Sequence, residues 1–222
     1  MESSAPAADG GHSLREGLRA DAGHYARAYC EENVARRLEA LSPAARRLAF
    51  ALVVSNARRS VTVAYQRAGA DAPGGVCIWD YHVVHLELSA DGTSWRVCDL
   101  DSTLPFPETA EAYLASSFPA VREHFRPCFR LVGADRFVAT FASTRRHMRD
   151  SATGDWLAPP PQWPCMRGNE ALEEDTLPRF LPPSGVGEAA NDVDAGFGAD
   201  AAGVDELRAL LERVRAQRAR KA

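Results

Sequence analysis

The sequence predicts an α+β fold, with an antiparallel sheet packed against helices. Three observations carry this. A run of alternating, β-branched segments lies between Ser60 and Leu100, the pair Asp91-Gly92 interrupts it as a hairpin turn, and helical patterns flank it on both sides.

Taken in order, residues Met1 to Arg19 are rich in Ala, Gly and Ser and read as a disordered arm, leaving 20–222 as a single domain. A helix is expected from Cys30 through Val34, Leu38 and Leu41, ending before Pro43. Glu31 and Glu32 fall in its first turn, where negative charge suits the positive end of the helix. Ala44 to Ser55 reads as a second helix or a long strand. Ser60 to Gln66 is a strand, and the Gly/Pro-rich turn from Gly69 to Gly75 leads into a second strand from Cys77 to Leu88. Trp95 to Leu100 returns from the hairpin as its partner. Thr109 to Phe118 reads as helix and Phe129 to Val132 as strand. Pro159, Pro160 and Pro161 mark an extended stretch, and 184–203 is a Gly/Ala-rich flexible loop. Asp205 then caps a last helix over 205–222, with apolar Leu207, Leu210, Leu211 and Val214 and a basic tail read as a solvated helix end.

The bulk numbers exclude several function classes. The 222 residues are 45% hydrophobic and 25% charged, with a formal net charge of -4. Such a chain has an ordinary globular balance and no basic footprint for nucleic acid. Its longest apolar run, Leu48 to Val54, is far too short for a membrane span. No secretion signal opens the chain, so the cytoplasm, with the nucleus as a second compartment, is the default. The five cysteines, Cys30, Cys77, Cys98, Cys128 and Cys165, are odd in number and widely spaced. They form neither a zinc-binding pair nor a disulfide framework. A monomer is the default, since no repeat suggests assembly.

Three residues have the chemistry for acyl transfer. At the start of a helix, Cys30 would sit among unpaired backbone N–H groups and the positive dipole end, which favour a thiolate and supply an oxyanion hole. His82 and His85 are three apart on one strand and therefore on opposite faces, so they cannot share a metal. His82 shares the apolar face of Val84, Leu86 and Leu88, whereas His85 shares the more solvated face of Val83 and Glu87. A two-residue turn at Asp91-Gly92 would pair position 84 with 99 and 82 with 101. His82 and Asp99 then become diagonal neighbours on one face, ~7–8 Å apart between Cα atoms. A thiol, an imidazole base and a carboxylate that holds the ring form a Cys-His-Asp arrangement.

These residues lie within longer strings. Tyr29-Cys30-Glu31-Glu32-Asn33, Trp79-Asp80-Tyr81-His82-Val83-Val84 and the run from Asp99 through Asp101 to Pro107 resemble the protein N-terminal glutamine amidohydrolases. Ser55-Asn56, Phe141-Ala142-Ser143 with Arg145, His147 and Met148, and the prolines leading to Pro164-Cys165 extend the resemblance over about residues 25 to 180. Departures lie at the ends: Gly196-Phe197-Gly198 has Phe where the family has Trp, Val61 to Gln66 lacks the family's tryptophan, and an insertion follows Leu181.

The resemblance implies a papain-like or transglutaminase-like core. It implies Cys30 as nucleophile, His82 as base and Asp99 as the residue that orients it, with no metal or cofactor. The implied substrates are proteins or peptides with a free N-terminal glutamine, converted to glutamate with loss of ammonia through a Cys thioester. The implied pathway role is to expose a glutamate that later steps use to mark proteins for degradation. Glu31, Asp80 and Asp101 are candidates for holding the substrate's α-ammonium, and Trp79, Tyr81 and Phe106 for walling the pocket. Two alternatives stay open: a non-catalytic binder of protein N-termini, and a papain-like or transglutaminase-like enzyme acting on internal residues.

Overall fold

The computed structural model describes residues 25–182 and 192–221. The arm at 1–19 and the stretch 184–191 of the expected loop lie outside the described residues.

Six strands form one antiparallel sheet. In chain order they are β1 (Ala49–Ser55), β4 (Tyr81–Leu88), β5 (Trp95–Cys98), β6 (Glu108–Thr109), β7 (Cys128–Gly133) and β8 (Ala199–Ala201), and their spatial order is β6-β5-β4-β1-β7-β8. The expected strand 60–66 shortens to β2 (Val61–Val63). It pairs with β3 (Cys77–Trp79) in a separate two-stranded sheet. The expected strand 77–88 therefore breaks at Asp80. There the Asp80 carbonyl accepts from Ser55 Oγ at 2.5 Å, and its Oδ1 accepts from the Tyr81 N–H at 2.9 Å, an aspartate turn that starts β4.

Helices cover both faces of the sheet. One face carries Phe50, Leu52, Val54, Val84, Leu86, Leu88, Trp95 and Val97 beneath α3 (Ala110–Ser117) and α6 (Val204–Lys221). The other carries Ala51, Val53, Tyr81, Val83 and Val132 beneath α1 (Cys30–Glu39) and α4 (Ala134–Thr140), with Phe141 and Phe180. Burying each large apolar side chain contributes roughly 1.5–3 kcal/mol. Strand β1 is buried at every position. A strand covered on both faces has no reason to alternate, which is why Ala49 to Ser55 reads equally as helix or strand. Two short helices complete the elements, α2 (Pro43–Arg46) and α5 (Leu177–Phe180).

Two expectations near the C-terminus need correction. The loop expected over 184–203 contains β8, which pairs Ala199 with Leu131 and Ala201 with Phe129. Arg130, wholly buried on β7, secures it by a bidentate pair to Asp200, with its Nε 2.6 Å from Oδ1. The last helix begins at Val204, so Asp205 lies in its first turn and not at its cap, and Glu206 Oε2 accepts from the Ala202 N–H at 3.0 Å just ahead of the helix. No helix among the described residues is long and apolar enough to cross a membrane.

Candidate active site

Cys30 is the first residue of α1, and the residue before it, Tyr29, caps the helix with no side-chain hydrogen bond. The string around it is a set of anchors. Asn33 holds Ala26 from both sides, accepting from its N–H at 2.7 Å and donating to its carbonyl at 2.8 Å. This supports the bend at Ala28, whose φ of 67° is left-handed. Tyr29 is buried and donates its hydroxyl to the Ala158 carbonyl at 3.1 Å. Glu32, also buried, takes a bidentate pair from Arg145 at 2.7 Å per contact and a hydrogen bond from Trp163 Nε1 at 2.7 Å. The helix start is thus fixed from three directions.

The thiol departs from expectation. Burial first, then the carboxylates of Glu31 and Asp101, push Cys30 well above its ordinary range, and the Val83 backbone N–H pulls the other way. Glu31 Oε2 accepts from Sγ at 3.6 Å. The helix N-terminus is outweighed, so Cys30 rests as a thiol.

The hairpin parity holds: His85 pairs with Cys98, Leu86 with Val97 and Leu88 with Trp95. The ladder stops at Cys98, and Asp99 starts a turn in which its Oδ1 accepts from the Asp101 N–H at 3.0 Å. Both His82 and Asp99 are buried, and His82 Nε2 lies 3.0 Å from Asp99 Oδ1. The other oxygen, Oδ2, accepts from Gln66 Nε2 at 3.0 Å and from the Tyr113 hydroxyl at 2.9 Å. Burial would raise this carboxyl, but His82, Gln66 and Tyr113 together hold it down at about 2. An ionised Asp99 can only accept, so the proton on His82 sits at Nε2 and the Nδ1 lone pair is left to act as base. Burial works against the imidazolium, yet Asp99, followed by Asp101 and Glu31, raises His82 above its ordinary value. Trp79 stacks on the ring, with centroids 5.9 Å apart and planes at 12°.

His85 is not on a solvated face. Helix α1 covers it, and it is 0% exposed. Arg37 Nε donates to its Nδ1 at 2.9 Å; burial and that guanidinium lower it to about 3. His85, Glu87 and Cys98 offer ligand atoms within 4.8 Å of one another, as do His82, Asp99 and Asp101. In the first group the Arg37 bond forces the imidazole proton onto Nε2, the nitrogen a metal would need. In the second, four hydrogen bonds already fill the lone pairs of Asp99. Neither set suits a metal as arranged.

The three ammonium candidates separate. Glu31 is fully buried, its Oε2 accepting from the Cys30 thiol and its Oε1 3.5 Å from His147 Nε2. Asp80 is exposed and spent on the turn that starts β4. Asp101 is half-buried in the wall of a cavity of about 630 Å³, beside Trp79, Tyr25 and Leu157, where its Oδ1 accepts from the Tyr25 hydroxyl at 2.6 Å. Of the aromatics, Trp79 lines the cavity; Tyr81 and Phe106 are buried in the protein.

Sequence reasoning missed Gln66, Tyr113 and the Glu32–Arg145 pair. Tyr113 was within reach, because Ala110, Tyr113, Leu114 and Ser117 share the buried face of α3 at helical spacing. Gln66 was not. It is placed by a bridge to Ser102 and by its N–H on the Gly75 carbonyl at 2.8 Å. Gly75 adopts a φ of 60°, and a Cβ there would lie 3.1 Å from Gln66 N.

Comparison with known proteins identifies the family. The family model for N-terminal glutamine amidase matches residues 25–192. Protein N-terminal glutamine amidohydrolase of Bos taurus is 36% identical over 178 residues, covering 77% of this chain and 84% of the relative. The protein of that name from Homo sapiens is also 36% identical, covering 77% and 83%, and that from Danio rerio is 34% identical, covering 74% and 83%. With a match that spans most of its length and includes Cys30, His82 and Asp99, this chain belongs to the N-terminal glutamine amidase family.

Proposed function

We propose that this protein hydrolyses the side-chain carboxamide of an N-terminal glutamine to glutamate and ammonia, using Cys30, His82 and Asp99. The observation that carries it is the buried His82–Asp99 pair, with Asp99 hydrogen-bonded at both oxygens and His82 Nδ1 left free among the described residues, in a chain of this family.

In this mechanism the Cys30 sulfur attacks the carboxamide carbon while its proton passes to His82 Nδ1. The imidazolium, held by ionised Asp99, gives that proton to the departing nitrogen, which leaves as ammonia. Water then attacks the thioester, losing a proton to His82, and the thiol is restored as glutamate leaves. Backbone N–H groups at the start of α1 carry the developing oxyanion charge. Asp101 receives the substrate's α-ammonium, because it alone of the three candidate carboxylates lines the cavity beside the imidazole. A helix bearing the nucleophile, packed on an antiparallel sheet, supports a papain-like or transglutaminase-like core. A single catalytic domain acting as a monomer on protein N-termini completes this reading.

The test is ammonia release and product mass from peptides that begin with Gln, begin with Asn, begin with acetylated Gln, or carry Gln internally, for wild type and Cys30→Ala. Turnover of the free N-terminal Gln peptide alone, absent in the variant, is expected. Turnover of internal Gln would move the protein to the transamidating class, and binding without turnover would leave a recognition module.

A further inference from the structure

With the terminal glutamine at Cys30 and its α-ammonium on Asp101, the cavity lined by Ala28, Asp101 and Trp79, which stacks on His82, offers the rest of the substrate a path away from the site. That wall also carries Arg27 and Arg67. Both are exposed, and neither guanidinium has a hydrogen bond or ion pair among the described residues. Their positions are fixed by the site itself. Arg27 stands three residues before the nucleophile in the turn gripped by Asn33, and the Arg67 N–H donates to the Asp101 carbonyl at 2.8 Å. The lining also has an apolar part: Leu157 is 62% and Tyr25 38% exposed, two of the few large hydrophobic side chains left open to water among the described residues.

The charges in this wall are unequal. Of the residues that line it, Asp101 is the one carboxylate, while Arg27 and Arg67 bring two guanidinium groups. Once a substrate ammonium neutralises Asp101, both cations are left without a counter-charge in the cavity. A group that supplies one must come from the substrate, immediately after its first residue.

We propose that Arg27 and Arg67 read the second residue of the substrate and select for an acidic side chain there, with the apolar rim holding the chain beyond it. This rests on the amidohydrolase reading above and extends it from the terminal residue to its neighbour.

Three peptides that differ only at the second position, Gln-Glu, Gln-Ala and Gln-Lys, test it by kcat/KM for ammonia release at low and high salt. Exposed ion pairs of this kind predict a Glu-to-Lys preference of about tenfold at low salt, shrinking as salt rises. The preference should persist in the Arg27→Lys/Arg67→Lys double variant, collapse in Arg27→Ala/Arg67→Ala and reverse in Arg27→Glu/Arg67→Glu. Equal rates on Gln-Glu and Gln-Lys in wild type, or a preference that survives in the alanine double variant, would overturn the proposal. Failure of the amidohydrolase reading is told apart by the Gln-Ala peptide: if wild type does not turn it over, that reading falls and takes this one with it.

Discussion

Strand β4 carries two buried histidines on opposite faces, His82 at 2% exposure and His85 at 0%. Their backbones are equivalent and their burial is alike. They differ in the charge of the group that meets the ring. His82 meets a carboxylate, which keeps its proton affinity high and fixes the proton on Nε2. His85 meets the Arg37 guanidinium, which joins burial in holding it neutral to about 3. Burial therefore does not set the proton affinity of either imidazole by itself; the sign of the partner does, and it favours His82 over His85 as the base of the proposed mechanism.

Four substitutions break or sharpen this contrast, in descending order of effect. Replacing His82 with Ala removes the base and should lower kcat/KM by ~10³-fold or more, read as ammonia release from a Gln-initiated peptide. Asp99→Asn keeps the shape but loses the charge that orients the ring, and should cost on the order of 10²-fold. It also has a pH signature. The base must be neutral, so wild-type kcat/KM should fall as pH drops through a value above the ordinary 6.5 or so of histidine. In Asp99→Asn, burial acts with less opposition and that limb should move to lower pH; a limb that stays put would mean another group sets it. Tyr113→Phe deletes one of the hydrogen bonds to Asp99 and should reduce kcat/KM roughly three- to tenfold, with a smaller shift of the same limb. His85→Ala should leave kcat/KM within about twofold while lowering stability by roughly 1–3 kcal/mol in urea unfolding, because Arg37 loses its buried acceptor. A large activity loss there, with unchanged stability, would erase the distinction between the two faces.

The histidine titrations make the same contrast without mutation. Imidazole NMR signals followed from pH 5 to 8 should show His82 titrating above the ordinary value and His85 constant, since a group held near 3 stays neutral throughout that range.

What could be read in advance follows from where the determinants lie. The pairing of His82 with Asp99 was legible because a strand alternates with period two and a short turn at Asp91-Gly92 fixes the parity of the return strand. Cys30 at the head of α1, the hairpin and the apolar stripe of the last helix are local patterns of the same kind. The face of His85 was misread because alternation separates the two faces without saying what covers the second one; α1 does, through Arg37. The resting thiol was misread for a related reason. The local dipole favours its ionisation, but burial and the carboxylates of Glu31 and Asp101 decide it.

By itself, then, the sequence determined periodicity and parity and put forward the three candidate groups, since each of these readings depends on residues close along the chain. Only the tertiary structure decided their charge states and supports. Gln66, Tyr113 and Asp99 converge from three segments, and Arg145 reaches Glu32 across 113 positions of sequence. Such contacts follow from how layers pack, and burial and electrostatics act through space, not along the chain.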